Sequence, residues 1–311
     1  MKTIAIGTDI GGSHISCAAV DFQSQSIIRE SRANQAVNNQ ASAEEILKNW
    51  AVALSKSIAK IDRTQLVGIG FAMPGPFDYA AGIALFTKGV VKYQNLYGIN
   101  VSERIRELLA LPAGLDLRYM NDATAFGVGE AWLGEASGVN RSISITLGTG
   151  LGSAFIDNGI PVVEGDLVPR TGALWHLPFE HDIADAAFST RWFIKRYSEI
   201  SGNELASVRE LAERATIDSL AKSVFVEFGK NLADFLGPWI KKFAPELLVI
   251  GGNVSGAYNL FGISLEESLK QQQIATPVHV SKLKEDAASI GGARLFEENF
   301  WNQIRPLLSK M

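Results

Sequence analysis

Thr8-Asp9-Ile10-Gly11-Gly12-Ser13-His14 and Thr146-Leu147-Gly148-Thr149-Gly150-Leu151-Gly152-Ser153 are two copies of one device, a glycine-rich turn between two runs of strand character. Residues 3–8 and 15–20 flank the first copy and residues 142–147 and 153–156 the second, all apolar-rich and partly β-branched as strands require. Glycines at such turns permit positive φ and leave backbone N–H groups uncovered, so two of them facing each other can hold a polyphosphate. The repeat points to a nucleotide clamp.

Outward from the turns, strands and helices alternate along the chain, the pattern of an α/β architecture. The spacing predicts a helix over 41–61, opened by Ser42 three residues before Glu45 as in a capping box, with Leu47, Trp50, Leu54, Ile58 and Ile61 on one face. A strand over 66–72 runs into Pro74-Gly75-Pro76, which can continue neither a helix nor a central strand. Asn100 caps a second helix with Val101, Ile105, Leu108 and Leu109 on one face, and Pro112 closes it. These elements make up an expected first domain over 1–115. The second, 116–311, opens with a strand over 115–120 and a small-residue helix over 123–136. After the second glycine turn come an irregular stretch over 157–182, a mostly helical segment over 183–243 and a buried strand over 246–250 that ends in Gly251-Gly252. A last helix over 287–308, interrupted or started by Gly291-Gly292, can pack back on the first domain.

At 311 residues, 47% of them hydrophobic, the chain suits two domains of about 150 residues and has material for a large core. Its net charge of −4 argues against non-specific nucleic-acid binding, which needs a basic surface. Cys17, the only cysteine, can form neither an intramolecular disulfide nor a thiolate zinc cluster, which fits a reducing compartment. Strand character from Lys2 onward leaves no room for a signal peptide, and no apolar run approaches the ~20 residues of a membrane helix. The expectation is a cytoplasmic protein with neither a nucleic-acid nor a membrane partner.

Asn121-Asp122 falls at the end of a strand, where the functional groups of α/β proteins gather. An Asp there can take a proton from a substrate hydroxyl; equally, one residue of the pair can simply cap the following helix. Asp9, beside the first glycine turn, can hold Mg2+ through water next to phosphates or be an ordinary turn aspartate. Gly251-Gly252-Asn253 admits a binding role or a purely steric one. His176 and His181 flank a proline turn and read as hydrogen-bonded loop residues as readily as ligands, while His14 and His279 read as structural.

Taken in order, Asp9-Ile-Gly-Gly-Ser-His, Gly70-Phe-Ala-Met-Pro-Gly-Pro, Asn121-Asp-Ala-Thr-Ala, Leu147-Gly-Thr-Gly-Leu-Gly and Val249-Ile-Gly-Gly-Asn resemble the ROK family of sugar kinases, within the actin-like ATPase superfamily. The resemblance spans nearly the whole chain. It implies an α/β protein of two actin-like (ribonuclease H-like) domains, with ATP and a small-molecule sugar bound in the cleft between them. Gly11, Gly12 and Ser13, and Gly148, Thr149 and Gly150, then correspond to the two phosphate-binding turns, and Gly251 and Gly252 to the adenosine pocket. Asp122 would be the catalytic base, Asn121, Pro74 and Gly75 would lie near the sugar, and Asp9 would hold Mg2+ through water. A homodimer is an expectation from the resemblance alone.

The chain departs from the family pattern in the segment that grips the sugar. Where a Gly-Glu-x-Gly-His run is usual, it reads Gly172-Ala173-Leu174-Trp175-His176, keeping the histidine and losing the glutamate. The cysteine-rich zinc loop that commonly follows is replaced by residues 177–188, which hold no cysteine, so no structural zinc is expected. A further sugar-contacting glutamate of the family corresponds to Asp185, followed by Ser189-Thr190, with Glu180 as a competing candidate. A sugar hydroxyl deprived of its charged partner costs about 1–3 kcal/mol, one or two decades in substrate preference. Glucose therefore cannot be assumed. With eight residues ahead of Asp9, the N-terminal helix-turn-helix domain of the family's regulators is not expected. The resulting expectation is ATP-dependent phosphorylation of a hexose or N-acetylhexosamine, at the 6-hydroxyl. The alternative is a non-catalytic sugar or nucleotide sensor of the same fold.

Overall fold

The computed structural model describes residues 2–87 and 92–311. In chain order the principal elements are β1 (Ile4–Ile10), β2 (His14–Asp21), β3 (Ser26–Ala36), α1 (Ala43–Ile58), β4 (Leu66–Met73), α2 (Val101–Leu109), β5 (Asp116–Asn121), α3 (Asp122–Leu133) and β6 (Arg141–Leu147). They continue with β7 (Leu151–Asp157), α4 (Thr190–Ser201), α5 (Val208–Arg214), α6 (Ser219–Phe243), β8 (Leu247–Gly251), α7 (Tyr258–Gln271), β9 (Val278–Val280), α8 (Asp286–Arg294) and α9 (Glu298–Ile304). The chain divides into two compact units. One comprises Met1–Ser137, Gly159–Pro161 and Glu285–Met311, the other Gly138–Asn158 and Val162–Lys284.

In the first unit the strand order is β3-β2-β1-β4-β5. β1, β2 and β3 form an antiparallel meander, whereas β1, β4 and β5 are parallel, with Asp9 opposite Ala72 and Met73 opposite Asn121. Three strand carboxyl ends are thereby set side by side, where α/β sheets place their ligands. α1 starts where Ser42 accepts a hydrogen bond from the Glu45 N–H, and it buries Leu47, Trp50, Leu54 and Ile58; Ile61 lies beyond its end. Asn100 caps α2 in the same way through the Glu103 N–H.

Glycines let α8 lie directly on this sheet and on α3. A Cβ on Gly7 of β1 would come within 1.7 Å of the Ser289 carbonyl oxygen, and one on Gly70 of β4 within 1.8 Å of that of Gly292. Between the helices, a Cβ on Gly129 would lie 1.9 Å from the Ala287 carbonyl oxygen, and one on Gly291 1.9 Å from that of Ala125. Backbone meets backbone at all four points.

Two expectations about the chain's course are corrected here. The first unit reaches Ser137 rather than 115, because β5 pairs with β4 in the first sheet and α3, which follows it, packs on α8. The last helix, expected over 287–308 with an interruption or start at Gly291-Gly292, runs through both glycines and breaks later: α8 ends at Arg294, and Glu297 starts α9 afresh by accepting the N–H groups of Asn299 and Phe300. A 3-10 segment, Arg305–Lys310, completes it.

The second unit repeats the scheme of an antiparallel hairpin, β6 with β7, extended by parallel strands β8 and β9. Its core is aromatic. Phe193 packs on Phe225 and Phe228, and Phe228 packs edge-on against Phe261 of α7, with ring centroids 4.4–5.3 Å apart. The stretch expected to be irregular contains a short hairpin, Pro178–Phe179 with Asp182–Ile183. Among the described residues no helix is long and apolar enough to cross a membrane.

Alanine is ordinarily better than glycine inside a helix by about 1 kcal/mol. For Gly129→Ala or Gly291→Ala the sign should reverse, with a loss of about 2–3 kcal/mol from overpacking. Gly114→Ala, whose added methyl meets nothing within 4 Å, should change stability by less than about 0.5 kcal/mol. Urea unfolding midpoints decide the matter, and a stabilised Gly129→Ala would refute the tight seat.

Candidate active site

Asp9, Pro74, Gly75, Asn121 and Asp122 gather at the carboxyl ends of β1, β4 and β5. Asn121 is the N-cap of α3, its Oδ1 accepting the N–H and hydroxyl of Thr124 at 3.1 and 3.3 Å. The capping role open at the sequence level thus falls to Asn121, and its Nδ2 donates to Asp122 Oδ1 at 3.0 Å and to Tyr79 Oη at 3.3 Å. Tyr79 in turn donates to the Met73 carbonyl at 3.2 Å, tying the Pro74-Gly75 turn to the same cluster. Asp122 Oδ1 also accepts the Ala123 N–H at 2.8 Å. The described hydrogen bonds to this carboxylate all fall on Oδ1, and Oδ2 remains to accept a proton.

Burial raises the Asp122 carboxyl above the usual carboxylate range, opposed by the Ala123 N–H and by the charge of Lys92. Burial, together with the charges of Asp122 and Glu285, pushes the Asp9 carboxyl up to about 7. Two acids that resist ionisation, set at one strand edge beside a cation, form a site suited to proton transfer.

The first glycine turn is held from its carbonyl side. Tyr93 Oη donates to the Gly11 carbonyl at 2.5 Å, Asn39 Nδ2 to that of Gly12, and the Val37 N–H to that of Ser13 at 2.8 Å. In a trans peptide C=O and N–H point opposite ways, so these bonds aim the N–H groups of Gly12, Ser13 and His14 away from their anchors. Tyr93 is itself locked: it is fully buried, its ring packs on Trp50 and Phe86, and its backbone sits at φ 60 with its N–H on the Asn39 carbonyl. Burial pushes its hydroxyl up to about 12, so it stays a donor. Lys92 lies across the turn, Cε and Nζ 2.9 and 3.1 Å from where a Cβ would project from Gly12. Lys92, Tyr93, Asn39, Tyr79 and Glu285 escaped the sequence reading. Their distance along the chain from the glycines hides them, and the one available signal is Trp50 on the inward face of α1, which marks the pocket Tyr93 fills.

In the second unit Gly148, Thr149 and Gly150 join β6 to β7. The Leu151 N–H donates to Asp185 Oδ1 at 3.0 Å, and a Cβ on Gly150 would strike that carboxylate at 1.9 Å. The Thr190 N–H donates to the Gly148 carbonyl at 2.8 Å. Gly252, at φ +79, abuts the backbone of Leu147 just ahead of the turn, so Gly251 and Gly252 lie beside it. His176 joins through its neighbour: the Trp175 carbonyl accepts the Asp185 N–H at 2.9 Å. Burial and the charge of Arg170 lower the His176 imidazole, leaving it neutral at pH 7. Glu180 is apart from this cluster, exposed at the tip of the short hairpin.

Aromatic packing fastens this segment. Phe188 packs on Phe179, Phe228 and Phe235 with centroids 5.0, 5.8 and 5.0 Å apart, and Ser153 Oγ donates to the Gly172 carbonyl while accepting the Leu174 N–H.

A sequence profile described as the ROK family matches residues 5–299. The glucokinase of Thermotoga maritima is 25% identical over 324 residues, covering 96% of this chain and 98% of its own. A xylose repressor of Caldicellulosiruptor bescii is 24% identical over 92% of this chain and 76% of its own. The crystal structure of a ROK family glucokinase from Streptomyces griseus, in complex with glucose and AMPPNP, matches with a TM-score of 0.74 at 21% identity, over 95% of this chain and 99% of that one. The actin-like α/β fold expected from the sequence is the fold observed.

Folded Asp9 keeps its proton to about pH 7, whereas an unfolded carboxyl releases it near pH 4. The folded state therefore loses ground to the unfolded one as pH rises from about 4 to 7. Asp9→Asn should leave the melting temperature unchanged at pH 4 and raise it by a few degrees at pH 8; equal shifts at both would contradict the assignment. In the second unit, a zinc chelator should not move the melting temperature, while Phe188→Ala should cost about 3–5 kcal/mol.

Proposed function

Because the chain belongs to the ROK family, we propose that it is a sugar kinase, transferring the terminal phosphoryl group of ATP to a hydroxyl of a hexose or an N-acetylated hexosamine, at the primary 6-position. The observation that carries this reading is Asp122: a carboxylate at a strand end, one oxygen tied down by Asn121 and Ala123, the other left to accept, with burial raising its basicity. Asp122 takes the proton of the acceptor hydroxyl as its oxygen bonds to phosphorus, and ATP supplies the phosphoryl group and leaves as ADP. Asn121 orients Asp122 rather than spending its amide on the sugar, since both of its polar atoms are occupied within the unit.

The amide face of the Gly11-Gly12-Ser13 turn, made by the N–H groups of Gly12, Ser13 and His14, suits an oligophosphate, because the carbonyls of the same peptides are already engaged on the other side. Gly148, Thr149 and Gly150 form the second phosphate turn, with Gly251 and Gly252 for the adenosine. Asp9 is the residue for Mg2+. Among the described residues no three acidic, imidazole or thiol groups converge as a metal cage, which suits an ion held by one carboxylate through its own waters. His176 and Asp185 remain the candidates on the acceptor side, and neutral His176 can both donate to and accept from a hydroxyl.

A second reading, a sensor that binds without catalysis, draws on Ala173, which stands where the family resemblance places a sugar-gripping glutamate, and on the matched repressor. One assay separates them. Purified protein with Mg2+ and ATP, offered a panel of hexoses and N-acetylhexosamines, should release ADP with its preferred sugar. Asp122→Asn should lower that rate by about 10²–10⁴-fold with sugar binding retained. Near-wild-type turnover in the variant would defeat the assignment of the base. Sugar binding without any ADP release in the wild type would favour the sensor.

A further inference from the structure

Lys92 has three properties on which nothing described so far depends. Its ammonium is draped over Gly12, 3.1 Å from the place a Cβ would occupy, so that any side chain there would displace it. Among the described residues it has no ion-pair partner within 4.0 Å, although the half-buried carboxylates of Asp9 and Asp122, and Glu285, lie in the same cluster. It is only partly exposed, and its immediate neighbour Tyr93 is locked in place, so the lysine is delivered from a fixed point. A surface lysine with no function to serve spreads into water, where its rotamer entropy is greatest. Here the side chain is laid along the amide-lined edge of a turn, and its charge reaches Asp122.

We infer that Lys92 is a phosphate-contacting catalytic residue that grips the terminal phosphate of a nucleoside triphosphate at the Gly11-Gly12-Ser13 turn, next to the acceptor base Asp122. This rests on the kinase reading above. A cation at the turn adds charge-assisted hydrogen bonds to those of the uncovered amides, and it offsets the negative charge that Asp9, Asp122 and Glu285 would otherwise present to an incoming anion. A diphosphate lacks the group Lys92 holds, so the lysine discriminates substrate from product as well as stabilising the transferring group.

The test is nucleotide binding by the full chain in the presence of Mg2+, using a non-hydrolysable ATP analogue and ADP. Wild-type protein should favour the triphosphate by about tenfold or more, and Lys92→Met should bring the two affinities within about twofold with ADP binding unchanged. Lys92→Arg should keep the preference. Lys92→Cys should lose it and regain it on alkylation with 2-bromoethylamine, which rebuilds an ammonium through a thioether; Cys17, the native cysteine, is buried and spared. That rescue answers the case in which Lys92→Met fails to fold. Persistence of the preference in Lys92→Met overturns this inference and leaves the kinase reading standing. No preference in the wild type also overturns the inference alone. Wild-type protein that binds neither nucleotide overturns both.

Discussion

The first unit depends on the seat of α8 against β1, β4 and α3. Four glycines, two on the strands and two on the helices, allow carbonyl oxygens to approach where a single methyl would collide. Such close approach gives dense dispersion contact over a small area and leaves almost no freedom to slide. The strand that carries Asp9 next to its end, the strand that leads into Pro74, and the helix that begins with Asp122 are therefore held by one buried contact. The positions of two reactive carboxylates follow from glycines more than forty residues away from at least one of them.

Carboxylates held this way are costly to ionise. Asp9 and Asp122 are half-buried, which withdraws water from their carboxyls, and Asp9 also feels Asp122 and Glu285. The structure tolerates this because the same burial gives the pair its chemistry, a proton acceptor and a group poised for a hard cation. Asn121 shows how one residue resolves the competition between capping and catalysis. It takes the cap and points its amide at Asp122, leaving its neighbour's second oxygen free.

The two glycine turns reach similar ends by different means. In the first, side chains from distant segments seize the carbonyls, and the trans geometry of the peptide turns the amides outward. In the second, the carboxylate of Asp185 takes one amide directly and demands glycine at residue 150. The short helical turn that carries Asp185, Ala184–Ala187, is secured through Phe179 and Phe188 against α6, an apolar solution in a segment without cysteines.

What the sequence determined by itself is the α/β class, the two glycine turns, the helix starts at Ser42 and Asn100, and the placement of Asn121-Asp122 at a strand end. Each of these is written in a short window, as periodicity, a capping residue or a glycine pair, and local sterics suffice to express it. The tertiary structure alone decided that β5 and α3 join the first unit, that the last helix breaks before Glu297, and that Tyr93, Asn39 and Lys92 converge on Gly11 and Gly12. Strand pairing, backbone-to-backbone packing and burial of a carboxylate are contacts between segments far apart in the chain, and no local pattern records which segment will supply the other half.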